Sequence, residues 1–152
     1  MKNIKWVYAH FKDLSNEELY EIFRLRIEVF VIEQNCPYQD ADRKDYKAFH
    51  LMGYDINQTL IAYARILPEG ISYKEVSIGR VITSPVARKT GAGKSLMQKA
   101  MEIIKEKYGN VAIRIGAQEY LHTFYNGFGF KKVSETYLED NIPHIEMLFI
   151  PR

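Results

Sequence analysis

The feature that most constrains the fold is a glycine-rich turn that joins a strand-like run to a helical run. It lies in the segment VITSPVARKTGAGKS, residues 81–95. Residues of strand type precede Pro85, and apolar residues with helical spacing follow Gly93. A helix that follows such a turn needs a sheet to pack against. The segment therefore predicts a chain of the α/β class.

The end of this segment partly matches a P-loop, the nucleotide-binding pattern G-x-x-x-x-G-K-[ST]. Lys94 and Ser95 follow Gly93 as that pattern requires, but Arg88 stands where the first glycine belongs. Nor does a later hydrophobic run end in an aspartate suited to hold magnesium. A P-loop nucleotide site is therefore the poorer of two interpretations.

The better interpretation is the pattern R-x-x-G-x-G, which residues 88–93 match fully. Glycines at a strand-to-helix junction let backbone N–H groups point at one spot, where the helix dipole adds about half a positive charge. Three basic side chains add full charges nearby: Arg88, Lys89 and Lys94. The turn is thus predicted to hold a pyrophosphate without a metal. A turn with solvated bases is the alternative.

The rest of the chain alternates strand-like and helical patterns. A capping box at Ser15 to Glu18 predicts the start of the first helix. The predicted helices cover residues 15–33, 91–107 and 121–128. The predicted strands cover residues 4–11, 50–54, 60–67, 75–83, 111–117, 130–137 and 142–149. Because hairpins occur among the alternating elements, the sheet is expected to be mixed.

Length and composition fit one globular domain. The chain has 152 residues, of which 47% are hydrophobic, and we expect a single domain over residues 1–152. No apolar run approaches the ~18 residues of a membrane span, and no signal-peptide core is visible. Cys36 is the single cysteine, which excludes an internal disulfide and favours a reducing compartment. These observations predict a cytoplasmic protein without a membrane partner.

Charge is near balance in total but uneven along the chain. The net charge of +2 lacks the basic excess of a DNA-binding protein, so no nucleic-acid partner is expected. Residues 13–45 hold nine acids and four bases, whereas residues 88–107 hold six bases and two acids. The first region would attract a cation and the second an anion, unless both are simply solvated helix faces. Aspartates at alternate positions lack the glycine and glutamate of a calcium loop, so no metal is expected.

Two further observations belong together. The strand at 76–83 leads into the turn at 88–93, and FYNGFGF at 124–130 follows later in the chain. Together these motifs resemble the GNAT superfamily of acetyl-CoA-dependent N-acyltransferases, whose signature F-Y-x-x-x-G-F is similar to the second motif. Within the family, the chain looks most like the ElaA-like branch. That closer resemblance rests on three blocks: FVIEQNCPY at 30–38, SIGRV at 77–81 and LEDNIPHIEM at 138–147.

The resemblance implies a fold and a cosubstrate. The expected fold is a GNAT-like mixed sheet, largely antiparallel and twisted, flanked by helices and splayed between the fourth and fifth strands. Acetyl-CoA would lie in that opening, and Gly79 would supply the bulge that spreads the strands. The implied contacts are the backbone of Val81, Ile82 and Thr83, the turn residues Arg88, Lys89, Thr90, Gly91, Ala92, Gly93 and Lys94, and the Gln118 amide.

The resemblance also implies acid–base chemistry. Tyr125 matches the family tyrosine that protonates the departing thiolate, although a tyrosine in an aromatic run is otherwise a core residue. Ser77 occupies the position of the base in some relatives and cannot act as one. Glu75, which lies two residues earlier on the same side, is the predicted base, acting through water. Further candidates are Glu33, Glu119, His122 and His144, and an amine that arrives neutral needs no base.

The acceptor is predicted from the acidic loop. In this family the loop after the first helix borders the acceptor cleft, so Asp40, Asp42 and Asp45 would form a negative rim that attracts a cationic amine. Direct transfer needs no covalent intermediate, so Cys36 is interpreted as structural, as is His50.

The predicted function is therefore acetyl transfer from acetyl-CoA to a primary amine of a small molecule or peptide. A CoA-binding module without turnover is the alternative, and a P-loop-like nucleotide binder comes third. A homodimer is possible.

Overall fold

A single sheet forms the centre of the protein. The computed structural model describes residues 3–152, so Met1 and Lys2 of the predicted domain lie outside the described residues. The strands are β1 (Lys5–His10), β2 (Phe49–Tyr54), β3 (Leu60–Leu67), β4 (Val76–Thr83), β5 (Ile113–Gln118), β6 (Lys131–Lys132), β7 (Tyr137–Glu139) and β8 (Ile142–Phe149). Their order in the sheet is β1-β2-β3-β4-β5-β8-β6, and β7 also pairs with β8.

The sheet is mixed and largely antiparallel, as predicted. Within residues 3–152, β4 and β5 form the one parallel pair. That pair is short, because its register contains only Val76 with Ile113 and Ser77 with Arg114. On its other side, β5 pairs with β8 along its whole length. The two central strands therefore separate toward their C-terminal ends, which confirms the predicted splay.

The first helix begins where the sequence predicts. Ser15 accepts a hydrogen bond from the N–H of Glu18, and the Glu18 carboxylate accepts one from the N–H of Ser15. This capping box starts α1 (Asn16–Arg26), which continues as a π-helical segment, Ile27–Glu33. The predicted end at Glu33 is confirmed. The wider π-helical turns, which are frequent at functional sites, were not predicted.

Two glycines bound the second helix. Gly91, with φ of +87°, precedes α2 (Ala92–Tyr108), and Gly109, with φ of +82°, ends it. The N–H of Gly109 donates to the carbonyl of Lys105. The apolar side of α2 packs on one face of the sheet through Leu96, Met97, Ala100, Ile103 and Ile104. The short helix α3 (His122–Asn126) contributes Tyr125 to the same core.

The opposite face of the sheet is covered by α1. Ile22, Leu25 and Val29 pack there in a second core with side chains of three strands: Met52, Leu60, Tyr63 and Ile82. Across residues 3–152, no helix combines the length and apolar character needed to cross a membrane.

The prediction of one strand over residues 130–137 is wrong. β6 and β7 are separate short strands, and each pairs with a different part of β8. Between them, the side-chain oxygen of Ser134 accepts the hydrogen bond of the Glu146 N–H. A side-chain acceptor thus replaces a backbone acceptor of the ladder, and regular pairing stops there.

Candidate active site

The opening between β4 and β5 is produced by the end of their pairing and by a bulge in β4. Ala62 pairs with Thr83, but Arg65 pairs with Gly79, so β4 contains one extra residue between these points. The bulge was predicted at Gly79. The residue with left-handed backbone is instead Arg80, with φ of +51°, which corrects that prediction by one position. Bulges bend a strand and increase its local twist, which fits the divergence of β4 from β5.

The end of β4 offers a free backbone edge to a ligand. Ile82 and Thr83 pair with β3 on one side. On the other side, among the described residues, β5 pairs only with Val76 and Ser77. The predicted pantetheine contacts at Val81, Ile82 and Thr83 therefore lie along an edge that an extended ligand can pair with.

The first turn of α2 has the features of a phosphate cradle. The first backbone bond of the helix runs from the Ser95 N–H to the Gly91 carbonyl. The N-cap residue is Gly91, which has no side chain of its own to cap the amides of Ala92, Gly93 and Lys94. A Cβ on Gly91 would meet no atom within 4 Å, so the space above the turn is open. N–H groups at a helix start that faces open space suit a pyrophosphate.

The basic side chains around this turn differ in how they are engaged. Arg88 forms a two-pronged ion pair with Glu33, in which Nη2 lies 2.6 Å from Oε1. This contact lowers the pKa of the Glu33 carboxyl. Lys89 and Lys94 are exposed, and the Thr90 hydroxyl donates to the carbonyl of Ala87. The predicted pyrophosphate residues are therefore together, but Arg88 is bound to the end of the π-helical segment.

Tyr125 is 6% exposed and sits among aromatic side chains. Its ring meets Phe124 and Phe130 edge to face, with centroids 5.1 and 6.3 Å away. Burial raises the pKa of the Tyr125 phenol. The phenol therefore keeps its proton at neutral pH, as a general acid must.

Gln118 lies at the open end of β5 and touches the loop after the π-helical segment. Its Nε2 is 3.4 Å from Oε1 of Gln34. The same loop contains the half-buried Cys36, whose thiol points to the carbonyl of Asp140 at 3.7 Å. The loop therefore joins one side of the opening to the turn between β7 and β8.

The predicted base Glu75 is held by an arginine. Arg114 donates to both Glu75 oxygens, at 2.9 and 3.2 Å, and to Glu146 at 2.9 Å. The hydrogen bond from Arg114 lowers the pKa of Glu75, which makes this carboxylate a weaker base than a free glutamate. The role of Glu75 stays a prediction.

The other candidate bases are mostly engaged as well. Glu119 accepts a hydrogen bond from the Thr136 hydroxyl. His144 places Nδ1 2.7 Å from the Ile142 carbonyl and Nε2 3.5 Å from Glu139. His122 is exposed.

The predicted negative rim is wrong, because its aspartates are paired with arginines in the interior. Arg26 is fully buried and binds Asp40 and Asp45, each at 2.7 Å. Arg65 binds Asp42 at 2.7 Å and Asp45 at 3.1 Å. Arg80 also forms ion pairs with Asp40 and Asp42. We call these three arginines and three aspartates the Asp–Arg network.

His50 belongs to the same interior and has a structural role, as predicted. Its Nδ1 lies 2.6 Å from the Tyr63 hydroxyl, and its Nε2 lies 3.0 Å from the Asp45 carbonyl. Burial lowers the pKa of His50, so the neutral ring is favoured. Over residues 3–152, no three histidine, cysteine or carboxylate side chains are grouped to hold a metal.

Sequence reasoning missed three residues beside the opening: Tyr73, Gly116 and Tyr137. A Cβ on Gly116 would lie 2.7 Å from the Tyr73 hydroxyl and 3.1 Å from the Tyr137 hydroxyl. The glycine within a buried-type strand was the available signal, because it often marks a close approach. Nothing local in the sequence indicates that the two tyrosines meet there.

A mixed sheet that opens beside a glycine-rich helix start defines the class of acyl-CoA-dependent acyltransferases. The comparison with protein families agrees, since the model described as an acetyltransferase (GNAT) domain matches residues 11–150. The chain belongs to the GNAT acetyltransferase family, whose members use acetyl-CoA or CoA.

Individual relatives support the ElaA-like resemblance. ElaA from Escherichia coli is 44% identical over 146 residues, which cover 95% of this chain and 95% of ElaA. The ElaA crystal structure matches with a TM-score of 0.90 over 96% of this chain and 99% of that chain. An acyl-CoA N-acyltransferase from Pseudomonas aeruginosa is 40% identical and has a TM-score of 0.92, with 97% of this chain and 99% of that chain covered.

A more distant structure shares the fold alone. It is an aminoglycoside 6'-N-acetyltransferase complexed with coenzyme A, 16% identical with a TM-score of 0.70. The match covers 96% of this chain and 98% of that chain.

Proposed function

We propose that this protein transfers an acetyl group from acetyl-CoA to a primary amine, with Tyr125 as general acid. The observation that carries the proposal is the free edge of β4, which ends at the open amides of α2. The edge suits an extended chain, and the amides suit a pyrophosphate. Acetyl-CoA, as cosubstrate, supplies the thioester that is cleaved.

The chain's own residues have distinct tasks in this reaction. Amides of the first turn of α2 bind the phosphates, and the edge of β4 aligns the acyl chain. A backbone N–H at Val81 or Ile82 stabilises the negative charge that develops on the acyl oxygen. The amine nitrogen forms the new C–N bond as the C–S bond breaks.

Tyr125 balances the charge on the leaving sulfur. Its phenol donates a proton to the thiolate, and water returns a proton to the phenol afterwards. The attacking nitrogen loses its own proton to water or to a nearby carboxylate such as Glu75. Because burial raises the pKa of Tyr125, its phenol is protonated at the start of each turnover.

The substitution Tyr125→Phe tests the proposal. It removes one hydroxyl and keeps the aromatic packing, so the dissociation constant of acetyl-CoA is expected to stay within about twofold. We expect kcat, measured by thiol release with a primary amine, to fall by about 100-fold, as is usual for loss of a general acid. The matched control is Tyr108→Phe, which changes a half-buried tyrosine at the end of α2 and is expected to leave kcat unchanged.

Two outcomes would count against the proposal. An unchanged kcat in Tyr125→Phe removes the acid role from this residue. Tight binding of acetyl-CoA without turnover of any primary amine favours the alternative, a CoA-binding module. The low basicity of Glu75 is the observation that keeps that alternative in view.

Location and assembly belong to the same proposal. We propose that the protein acts in the cytoplasm, which its single free cysteine supports. A homodimer and the lack of a nucleic-acid partner remain predictions from the sequence.

A further inference from the structure

A short strap of chain crosses the wide end of the opening between β4 and β5. We give this name to residues 33–36, which begin at the last residue of the π-helical segment. Glu33 forms an ion pair with Arg88, which stands in the turn between β4 and α2. The next residue, Gln34, accepts a hydrogen bond from Gln118, the last residue of β5. Two neighbouring residues of the strap therefore contact opposite sides of the opening.

The side chain of Arg88 is directed at this strap. Its two terminal nitrogens donate to the two carboxylate oxygens of Glu33. Its Nε lies 3.4 Å from the carbonyl of Thr83, and its backbone N–H donates to the carbonyl of Pro85. A two-pronged contact between a guanidinium and a carboxylate fixes orientation as well as distance. Both the side chain and the N–H of Arg88 are thus already engaged within the fold.

The ion pair serves position more than stability. More than a third of each side chain is exposed, and pairs of this kind contribute little to the free energy of folding. The hydrogen bond between them nevertheless favours both charges, since it lowers the pKa of Glu33 and raises that of Arg88. Variants of either residue are therefore expected to fold and to change mainly the placement of the strap.

The strap borders the opening on the side of α1. The segment that leads into it packs with α1 through Val29 and Phe30, whereas α2 packs on the opposite face of the sheet. A cosubstrate whose phosphates bind at the start of α2 fills the opening from the α2 face. In a direct transfer the amine must reach the acyl carbon from a side that the cosubstrate leaves free. That side is the α1 face, where the acceptor passes the strap.

We propose, on the basis of the acetyltransferase function above, that Arg88 is a positioning residue for the acceptor amine. Its guanidinium holds the strap in place as one wall of the acceptor's entry. The phosphates of acetyl-CoA are bound by the amides of α2 without this guanidinium. The R-x-x-G-x-G pattern assigned Arg88 to the phosphates, so the inference gives the residue a different task.

Two single substitutions separate these tasks: Arg88→Gln and Glu33→Gln. In both, the dissociation constant of acetyl-CoA, measured by calorimetry, is expected to stay within about twofold of the starting value. The KM of the primary amine with the highest turnover, at saturating acetyl-CoA, should rise at least about threefold, as expected for loss of a partly exposed ion pair, with a smaller change in kcat. Glu28→Gln is the matched control. It removes the same charge from the π-helical segment, where Glu28 contacts Arg24, and leaves both constants unchanged.

The single cysteine of the chain reports on the strap without any turnover. Cys36 is half-buried, and its thiol lies 3.7 Å from the carbonyl of Asp140. Thiol labelling depends on access, so a released strap should react faster with bromobimane. We expect labelling at least about threefold faster in Arg88→Gln and Glu33→Gln, and unchanged in Glu28→Gln. An unchanged rate in the first two variants overturns the claim that this pair holds the strap.

Exchange of the two charges provides a rescue experiment. The double variant Arg88→Glu with Glu33→Arg keeps an ion pair at the same place with its direction reversed. It is expected to restore the slow labelling of Cys36 and the low KM of the amine, which a role of Arg88 in phosphate binding would not allow. Labelling as fast as in the single variants would show that the contact does not position the strap, and would overturn the inference.

The remaining outcomes separate this inference from the proposed function. A dissociation constant of acetyl-CoA that rises at least about tenfold in Arg88→Gln, or that falls in Glu33→Gln and not in Glu28→Gln, assigns Arg88 to the phosphates. Either result overturns the inference and leaves the acetyltransferase function intact. Turnover with an unchanged KM for the amine in Arg88→Gln does the same. Binding of acetyl-CoA without turnover of any primary amine overturns the proposed function, and the acceptor role of Arg88 with it.

Discussion

The protein contains two charge clusters on the same side of its sheet, and they differ in balance and burial. In the Asp–Arg network, three arginines face three aspartates, and Arg26, Asp40 and Asp45 are nearly or fully buried. The second cluster, which we call the cleft cluster, consists of Arg114 and the two glutamates that share it, Glu75 and Glu146, and all three side chains are partly exposed. The first cluster is enclosed in the fold, whereas the second is reached by solvent.

The difference in burial shows which charged side chains serve the fold and which remain in reach of solvent. Buried ions must be neutralised within the fold, because an uncompensated interior charge is very unfavourable. A surplus charge is tolerated only where water or a ligand reaches it. The partly exposed carboxylates of the cleft cluster are therefore in reach of water, although the aspartate-rich loop looks more acidic in the sequence.

The largest expected loss of stability comes from removing one arginine of the Asp–Arg network. Arg26→Ala leaves Asp40 and Asp45 buried without their main partner. We expect the free energy of unfolding to fall by about 3–5 kcal/mol, as for other broken buried pairs. Urea denaturation followed by circular dichroism measures this loss.

A surface pair provides the control for that substitution. Arg24 contacts Glu21 and Glu28 with more than a third of each side chain exposed. Arg24→Ala is expected to cost less than about 1 kcal/mol. Equal losses in the two variants would show that the Asp–Arg network is not a special source of stability.

A second prediction concerns pH. Burial lowers the pKa of His50 in the folded protein, so the unfolded chain binds a proton first as the pH falls through ~6.5. Arg26 and Arg65 lower the pKa of Asp45, and Arg65 that of Asp42, so the unfolded chain again binds protons first near ~4. Stability from these groups is therefore present above those values and lost as the pH falls below them.

Unfolding free energies measured between pH 8 and pH 4 test this prediction. We expect a decline that starts below ~6.5 and steepens near ~4, with at most about 1.4 kcal/mol per pH unit for each proton. His50→Gln lowers stability at pH 7 and flattens the first part of the decline. A first part that is unchanged in this variant would assign it to another group.

The smallest effect on stability is expected at Arg114. Arg114→Gln breaks partly exposed ion pairs, so we expect less than about 1 kcal/mol of destabilisation. Urea denaturation followed by circular dichroism measures the loss. A loss as large as that of Arg26→Ala would mean that burial does not set the cost of breaking these ion pairs.

Local signals in the sequence predicted the elements well. The capping box at Ser15, and the glycines at 91 and 109, indicate where helices begin and end because each acts through neighbouring backbone groups. The R-x-x-G-x-G pattern likewise predicted the glycine-rich start of α2.

The same local signals could not predict contacts between residues that are far apart in the sequence. Counting charges over residues 13–45 cannot include Arg65 and Arg80, which lie on β3 and β4 and neutralise the aspartate loop. The hydrogen bond between Ser134 and Glu146, which separates β6 from β7, also joins residues that are distant in sequence. The same is true of the contact between Tyr73 and Tyr137. The sequence did not predict the π-helical segment because its apolar spacing resembles that of an α-helix.

The most direct test of the proposed cosubstrate site is a calorimetric titration with acetyl-CoA, and separately with magnesium-ATP. We expect micromolar binding of acetyl-CoA, about −8 kcal/mol, and no heat with magnesium-ATP. Gly91→Asp places a negative charge at the start of α2 and should raise the dissociation constant at least about tenfold, ~1.4 kcal/mol. Gly91→Ala, with similar backbone strain and no charge, is the control and should bind more tightly than Gly91→Asp. No heat with acetyl-CoA, or an unchanged constant in a folded Gly91→Asp protein, would contradict the site.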